Sequence, residues 1–107
     1  MEVAEVVYRV TGTMDASEKF GLVGQMRRSA VSIPSNVAEG YARQATADFI
    51  RFLRIARGSL AELSTQYEIA CRVGLSIEDA EVTALFAEEA RILGGLIRSL
   101  EQRETAS

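Results

Sequence analysis

The chain has 107 residues, 48% of them hydrophobic and 25% charged, with a net charge of −3; this is globular composition with room for one hydrophobic core, so residues 1–107 are expected to form a single domain. It has no histidine and one cysteine, Cys71, which excludes a Ser-His-Asp triad, a Cys-His pair, an internal disulfide and a thiolate zinc cluster built from its own residues. No metal, cofactor or catalytic site is therefore expected.

Four helical segments follow from the spacing of apolar residues, and one proline in the whole chain suits long helices joined by short loops. The first runs from about Glu2 to Val10, with Val3, Val6, Val7 and Val10 on one face. Gly12 and the polar run Thr13 to Ser17 form the loop after it. The second extends from about Glu18 to Gly40, with Phe20, Val23, Met26, Ala30, Ile33 and Val37 at helical spacing. Thr46 is the expected N-cap of the third, with Asp48 where a helix N-terminus favours negative charge. That helix carries an apolar seam of Phe49, Leu53, Ala56, Leu60, Leu63, Tyr67 and Ala70, and Gly74 stops it. Ser76, with Asp79 three residues on, nearly matches a capping box and opens the fourth helix. Its expected inner face is Val82, Leu85, Phe86, Ile92, Leu93, Leu96 and Leu100. Short links force neighbouring helices to run in opposite directions, which predicts an all-α fold: an antiparallel up-down four-helix bundle with a short first helix.

That short helix leaves a gap. Nine residues at 1.5 Å each cover only about 14 Å of a bundle about 35 Å long. Half of one groove is then open, so either the natural start lies upstream or another chain covers the gap. No apolar stretch approaches the roughly 18 residues needed to span a bilayer, and no basic-then-apolar leader precedes the first helix. A lone cysteine on a helical pattern reads as a small buried residue and suits a reducing cytoplasm.

The charge is unevenly placed. Residues 19–57 hold seven basic groups and two acids, whereas residues 58–107 hold four arginines and nine acids. Such asymmetry marks either a nucleic-acid patch or complementary faces that pair between subunits. Turning at about 100° per residue places Arg51, Arg54 and Arg57 away from the seam of the third helix, as an exposed stripe that Arg72 extends. Arg27 and Arg28 lie within the second helix and Arg43 just past Gly40. Together these arginines are a solvated face or a surface for phosphates or an acidic partner. No aromatic residues interleave with them along the pattern, so base stacking is not expected.

Pro34 stands inside the second helix, where it removes an N–H and crowds the carbonyl of Ala30, so a kink is expected there. Ser32, Ser35, Asn36 and Glu39 are placed to satisfy the freed backbone groups; alternatively, Asn36 and Glu39 form a polar contact between subunits. Glu39 lacks a second acid or base at a supporting spacing, which argues against catalysis. Gly58 and the Gly94-Gly95 pair point to close helix approach. Ser59, Glu62, Thr65 and Gln66 form a half-polar second stripe on the third helix, of the kind that contacts another subunit.

The run Phe20-Gly21-Leu22-Val23-Gly24-Gln25-Met26-Arg27-Arg28-Ser29-Ala30-Val31-Ser32-Ile33-Pro34-Ser35-Asn36-Val37-Ala38-Glu39-Gly40 resembles the signature of the 23S rRNA intervening-sequence proteins. The stretch from Phe49 to Gln66 is similar to that family's second signature, and the likeness covers roughly residues 18 to 100. The resemblance implies a four-helix protomer assembled into a homopentamer. The family includes the accessory variability determinant of diversity-generating retroelements, which implies contact with RNA, DNA or a reverse transcriptase through a basic surface. Carried over by position, Arg27, Arg28, Arg43, Arg51, Arg54 and Arg57 are the candidates for that surface, while Pro34, Asn36 and Glu39 match a motif with a structural role. The expectation is a non-enzymatic oligomeric binding protein, the alternative being an assembly scaffold with a protein partner and no nucleic-acid role.

Overall fold

The computed structural model describes residues 2–14 and 21–106. Four helices occupy them: α1 (Glu2–Thr11), α2 (Leu22–Ala42), α3 (Thr46–Arg72) and α4 (Ala80–Ala106). The described residues contain no strand. The expected start of the second helix at Glu18, the core position Phe20 and the loop residues Asp15 to Ser17 lie outside the described residues.

The seam of α3 is the spine. Leu53, Ala56, Leu60, Leu63, Tyr67 and Ala70 are all buried, with Phe49 packed at the margin. One side of α3 packs on α2, in the largest interface of the molecule, and another on α4; α1 lies against α2 and touches α4 lightly. Paired residues run in opposite directions along each neighbour. Ser32 of α2 meets Ser59 of α3, and Gly40, further along α2, meets Phe52 and Phe49, nearer the start of α3. Tyr67 likewise packs edge-on against Phe86 of α4, while Arg54 reaches Glu101. The result is a rod of 51 × 24 × 17 Å. Val3 and Val7 of α1, and Val23, Met26, Ala30 and Ile33 of α2, complete the core as their spacing predicts.

Two helix starts differ from expectation, and one helix end agrees with it. Thr46 is the first residue of α3 rather than its cap; Ala45 occupies the N-cap, with extended backbone and no side-chain cap bond. The helix ends as expected: Gly74 has φ +82°, its N–H reaches Cys71 O, and the N–H of Leu75 reaches Ala70 O at 2.8 Å. This pair of bonds, with Leu75 packed against the core, is a Schellman closure. It also keeps Ser76 out of a new helix. The cap of α4 is Asp79, whose Oδ1 accepts from Glu81 N–H at 2.9 Å.

The inner face of α4 is shifted from the expected one. Val82, Phe86, Leu93 and Leu100 are buried, but Ile97 takes the place assigned to Leu96, and Ile92 and Leu96 are 53% and 37% exposed. α4 packs chiefly on one neighbour, so its buried stripe is narrow. Glycine also departs from expectation. A Cβ on Gly58 would meet nothing within 4 Å, and Gly94 and Gly95 face the Arg98 guanidinium instead of another helix. The close approach falls at Gly40, where a Cβ would lie 2.7 Å from the Cβ of Phe52.

Candidate nucleic-acid interface

Around Pro34 the helix runs on from Leu22 to Ala42. The Asn36 amide donates to Ser32 O at 2.8 Å and to Ser32 Oγ at 2.9 Å. Ser32 Oγ in turn shares a 2.8 Å hydrogen bond with Ser59 Oγ of α3. The Ser32–Asn36 part of the motif thus ties α2 to α3 within one protomer. Glu39 stays on the surface and forms an ion pair with Arg43 at 2.9 Å. On α3, Glu62 is exposed. The Gln66 Oε1 is buried with no hydrogen-bond partner among the described residues.

The six arginines fall into two groups. Arg27 turns toward α1: its Nε donates to Thr11 Oγ1 at 2.8 Å and its guanidinium sits 4.5 Å from the Tyr8 ring centre. Arg28, exposed beside it, lines a shallow cleft with Tyr8, Val31, Ser32 and Ser35. The second group begins at the turn between α2 and α3 and continues along α3 to Arg57. Arg43 and Arg51 hold their guanidinium groups 5.2 Å and 4.5 Å from the centre of one ring, Phe52. Arg54 donates to Glu101 at 2.9 Å, and Arg57 is exposed with no ion-pair partner among the described residues. The outward placement of Arg51, Arg54 and Arg57 is the one their 100° spacing predicts.

The expectation that aromatics do not interleave with these arginines is overturned. Tyr8 and Phe52 each carry at least one guanidinium. Tyr41, in the last turn of α2, is 76% exposed and sits edge-on to Phe49 at 5.9 Å. The Arg51-Phe52 adjacency is plain in the sequence; Arg43 arrives on the same ring only because α2 folds back along α3. Cation–π contacts of this kind hold a guanidinium flat at an exposed site at a gain of about 0.5–1 kcal/mol, and its N–H edges remain directed at neighbouring oxygens, here those of carboxylates.

Acids temper the patch. Besides Glu39, Asp48 lies 3.6 Å from Arg51. Exposed pairs of this type are worth about 0–1 kcal/mol each, little enough for a phosphate to displace the carboxylate.

At the opposite end of α3, Tyr67 Oη accepts from Asp79 N–H at 2.9 Å and lies 3.5 Å from Ile77 O. Burial raises its pKa above the ordinary 10.0. The half-buried free thiol Cys71 is close by, in a cleft of about 470 Å³ between α3 and α4.

The molecule is thus a helical bundle with an arginine–aromatic surface at one end. The profile of the 23S rRNA-intervening sequence protein family matches residues 1–97, and the chain belongs to that family. No curated protein matches the chain. No helix among the described residues is long and apolar enough to cross a membrane.

Proposed function

We propose that the chain is a non-enzymatic, homo-oligomeric binding protein that contacts nucleic acid through the arginine surface of α3 and the end of α2. The observation that carries this reading is the pair of guanidinium groups, Arg43 and Arg51, held over Phe52 on an exposed face. Preset, flat guanidinium groups suit phosphate oxygens, and Arg54 and Arg57 extend the same surface. The family description, which names an rRNA, favours RNA as the ligand. The retroelement resemblance adds a reverse transcriptase as the protein partner.

Assembly, with a pentamer as the expected state, is supported by apolar side chains the protomer leaves outside. Ile55 and Ile69 are exposed on α3, where Gly58 also faces open space, and Ile92 and Leu96 stand on α4.

The test is retention of RNA and DNA across a salt series. Binding should weaken steeply with salt. A triple Arg51→Ala, Arg54→Ala, Arg57→Ala variant should flatten the log–log slope by about 0.7 for each single-strand phosphate it no longer neutralises. Light scattering should return a mass several times that of one chain; a monodisperse monomer sinks the assembly. The pairing of Arg43, Arg51 and Arg54 with acids of the same protomer favours the second reading, a scaffold for a protein partner. That reading wins if no nucleic acid is retained at low salt and a partner survives both nuclease treatment and the triple substitution.

A further inference from the structure

Tyr41 has no evident task in the fold. Its ring is 76% exposed, in the last turn of α2, and none of the hydrogen bonds among the described residues uses its hydroxyl. An exposed tyrosine ring offers a flat apolar face to any molecule that docks beside it. Two clefts border this one ring. One, about 720 Å³, lies at the turn between Gly40, Gln44, Thr46, Phe49 and Arg103. The other, about 400 Å³, lies along α2 beside Pro34 and Val37. The ring makes an edge-on contact with Phe49.

Position ties this ring to the arginines. Gly40 lies against both supporting aromatics: a Cβ placed on it would stand 2.7 Å from the Cβ of Phe52 and 3.0 Å from the Cδ1 of Phe49. Phe52 carries Arg43 and Arg51, and Phe49 carries Tyr41. A pair of guanidinium groups and an open aromatic ring are thereby fixed on adjoining supports at one end of the rod. Duplex nucleic acid offers phosphates but keeps its base faces stacked inside; only an unpaired base can lie on a tyrosine.

We propose that Tyr41 is a stacking platform for one unpaired base of a single-stranded nucleic acid whose phosphates lie on Arg43 and Arg51. This rests on the nucleic-acid reading given above and narrows it to single strands. The ligand class is a short single strand, of RNA or DNA.

The test compares the full-length protein with Tyr41→Ala, Tyr41→Phe and Arg51→Ala variants. The probes are single-stranded oligonucleotides of one sequence in ribo and deoxy form, the matching duplex, and an abasic strand of equal length. Tyr41→Ala should weaken whichever single strand binds by about 5- to 150-fold, the worth of one base–aromatic stack. It should leave duplex and abasic binding, and the salt slope, unchanged. Tyr41→Phe should bind as the parent does, since the ring face is retained. Arg51→Ala should lower the slope by about 0.7 for every single-stranded probe. The chain contains no tryptophan, so tyrosine emission can be read directly; it should be quenched by the single strand and not by the abasic one.

If Tyr41→Ala binds every probe like the parent while Arg51→Ala loses affinity, the platform is wrong and the arginine surface stands. If the parent binds none of the probes, both are wrong. A drop in mass by light scattering for Tyr41→Ala would place the ring in a contact between copies of the chain and overturn the proposal. Unchanged circular dichroism confirms that the exposed substitution has not unfolded the helix.

Discussion

The two ends of α3 are finished in opposite ways. At its C-terminal end the backbone is closed: Gly74 and Leu75 finish the helix, Asp79 caps α4, and the Tyr67 hydroxyl holds the backbone of the connecting segment. At its N-terminal end Ala45 offers no side-chain cap, Gln44 takes a positive φ of 68°, and Tyr41 and two arginines point outward. Two tyrosines make the contrast plain. Tyr67 is 5% exposed and Tyr41 76%. A segment that closes its backbone hydrogen bonds is built to hold the fold, whereas one that leaves a ring exposed and pairs its guanidinium groups only with exposed carboxylates keeps both within reach of another molecule.

That contrast can be broken by substitution. Tyr67→Ala should have the largest effect, about 3–5 kcal/mol of stability by urea melts, since it empties a packed aromatic site; Tyr41→Ala should stay within about 0.5 kcal/mol. Equal losses at both positions would erase the distinction between the ends. Gly40→Ala comes next. The added methyl meets the Cβ of Phe52 at 2.7 Å, which a rotamer change cannot relieve, so the overpacking cost of about 1–3 kcal/mol should outweigh alanine's helix preference of about 1 kcal/mol. An unchanged or higher melting temperature would show that the helices separate there without strain.

Asp79→Ala should remove a cap worth about 1 kcal/mol, while Thr46→Ala should cost less, because Thr46 is not the cap of α3. The smallest effect is a pH dependence at the closed end. Burial places the ionisation of folded Tyr67 above its ordinary 10.0. The unfolded phenol therefore ionises first as pH rises, so the stabilisation is complete below pH 10 and is lost as pH climbs through the folded value. Urea melts between about pH 9 and pH 11 should show this decline in the parent and a shallower one in Tyr67→Phe.

The helices and most of the core were legible because the α3 seam repeats strictly and because Gly74 has a single conformational use. The start of α4 was not. Ser76 and Asp79 are equally good cap residues by type, and only contacts made after folding choose between them: Leu75 packed against the core and the Tyr67 hydroxyl on Asp79 N–H. The inner stripe of α4 was displaced by one residue, from Leu96 to Ile97, because periodicity does not say how many neighbours a helix has. The exposure of Arg51, Arg54 and Arg57 followed from helical geometry alone. Their aromatic supports depended on the hairpin that brings Arg43 and Phe52 together, and on a tyrosine whose exposure no pattern announced.

The Ser32–Ser59 hydroxyl pair has a mechanical consequence. Two smooth apolar helices can slide past one another by a turn, about 5.4 Å, with modest loss of packing. A polar contact at one fixed height disfavours that slip by about 1 kcal/mol and acts as an index mark between α2 and α3. Gly40 lies eight residues further along α2, about 12 Å away at the helical rise. The distance from Arg43 to the Phe52 ring is thus gauged from a part-buried pair of hydroxyls further back along the two helices, and any partner at the turn meets a spacing already set.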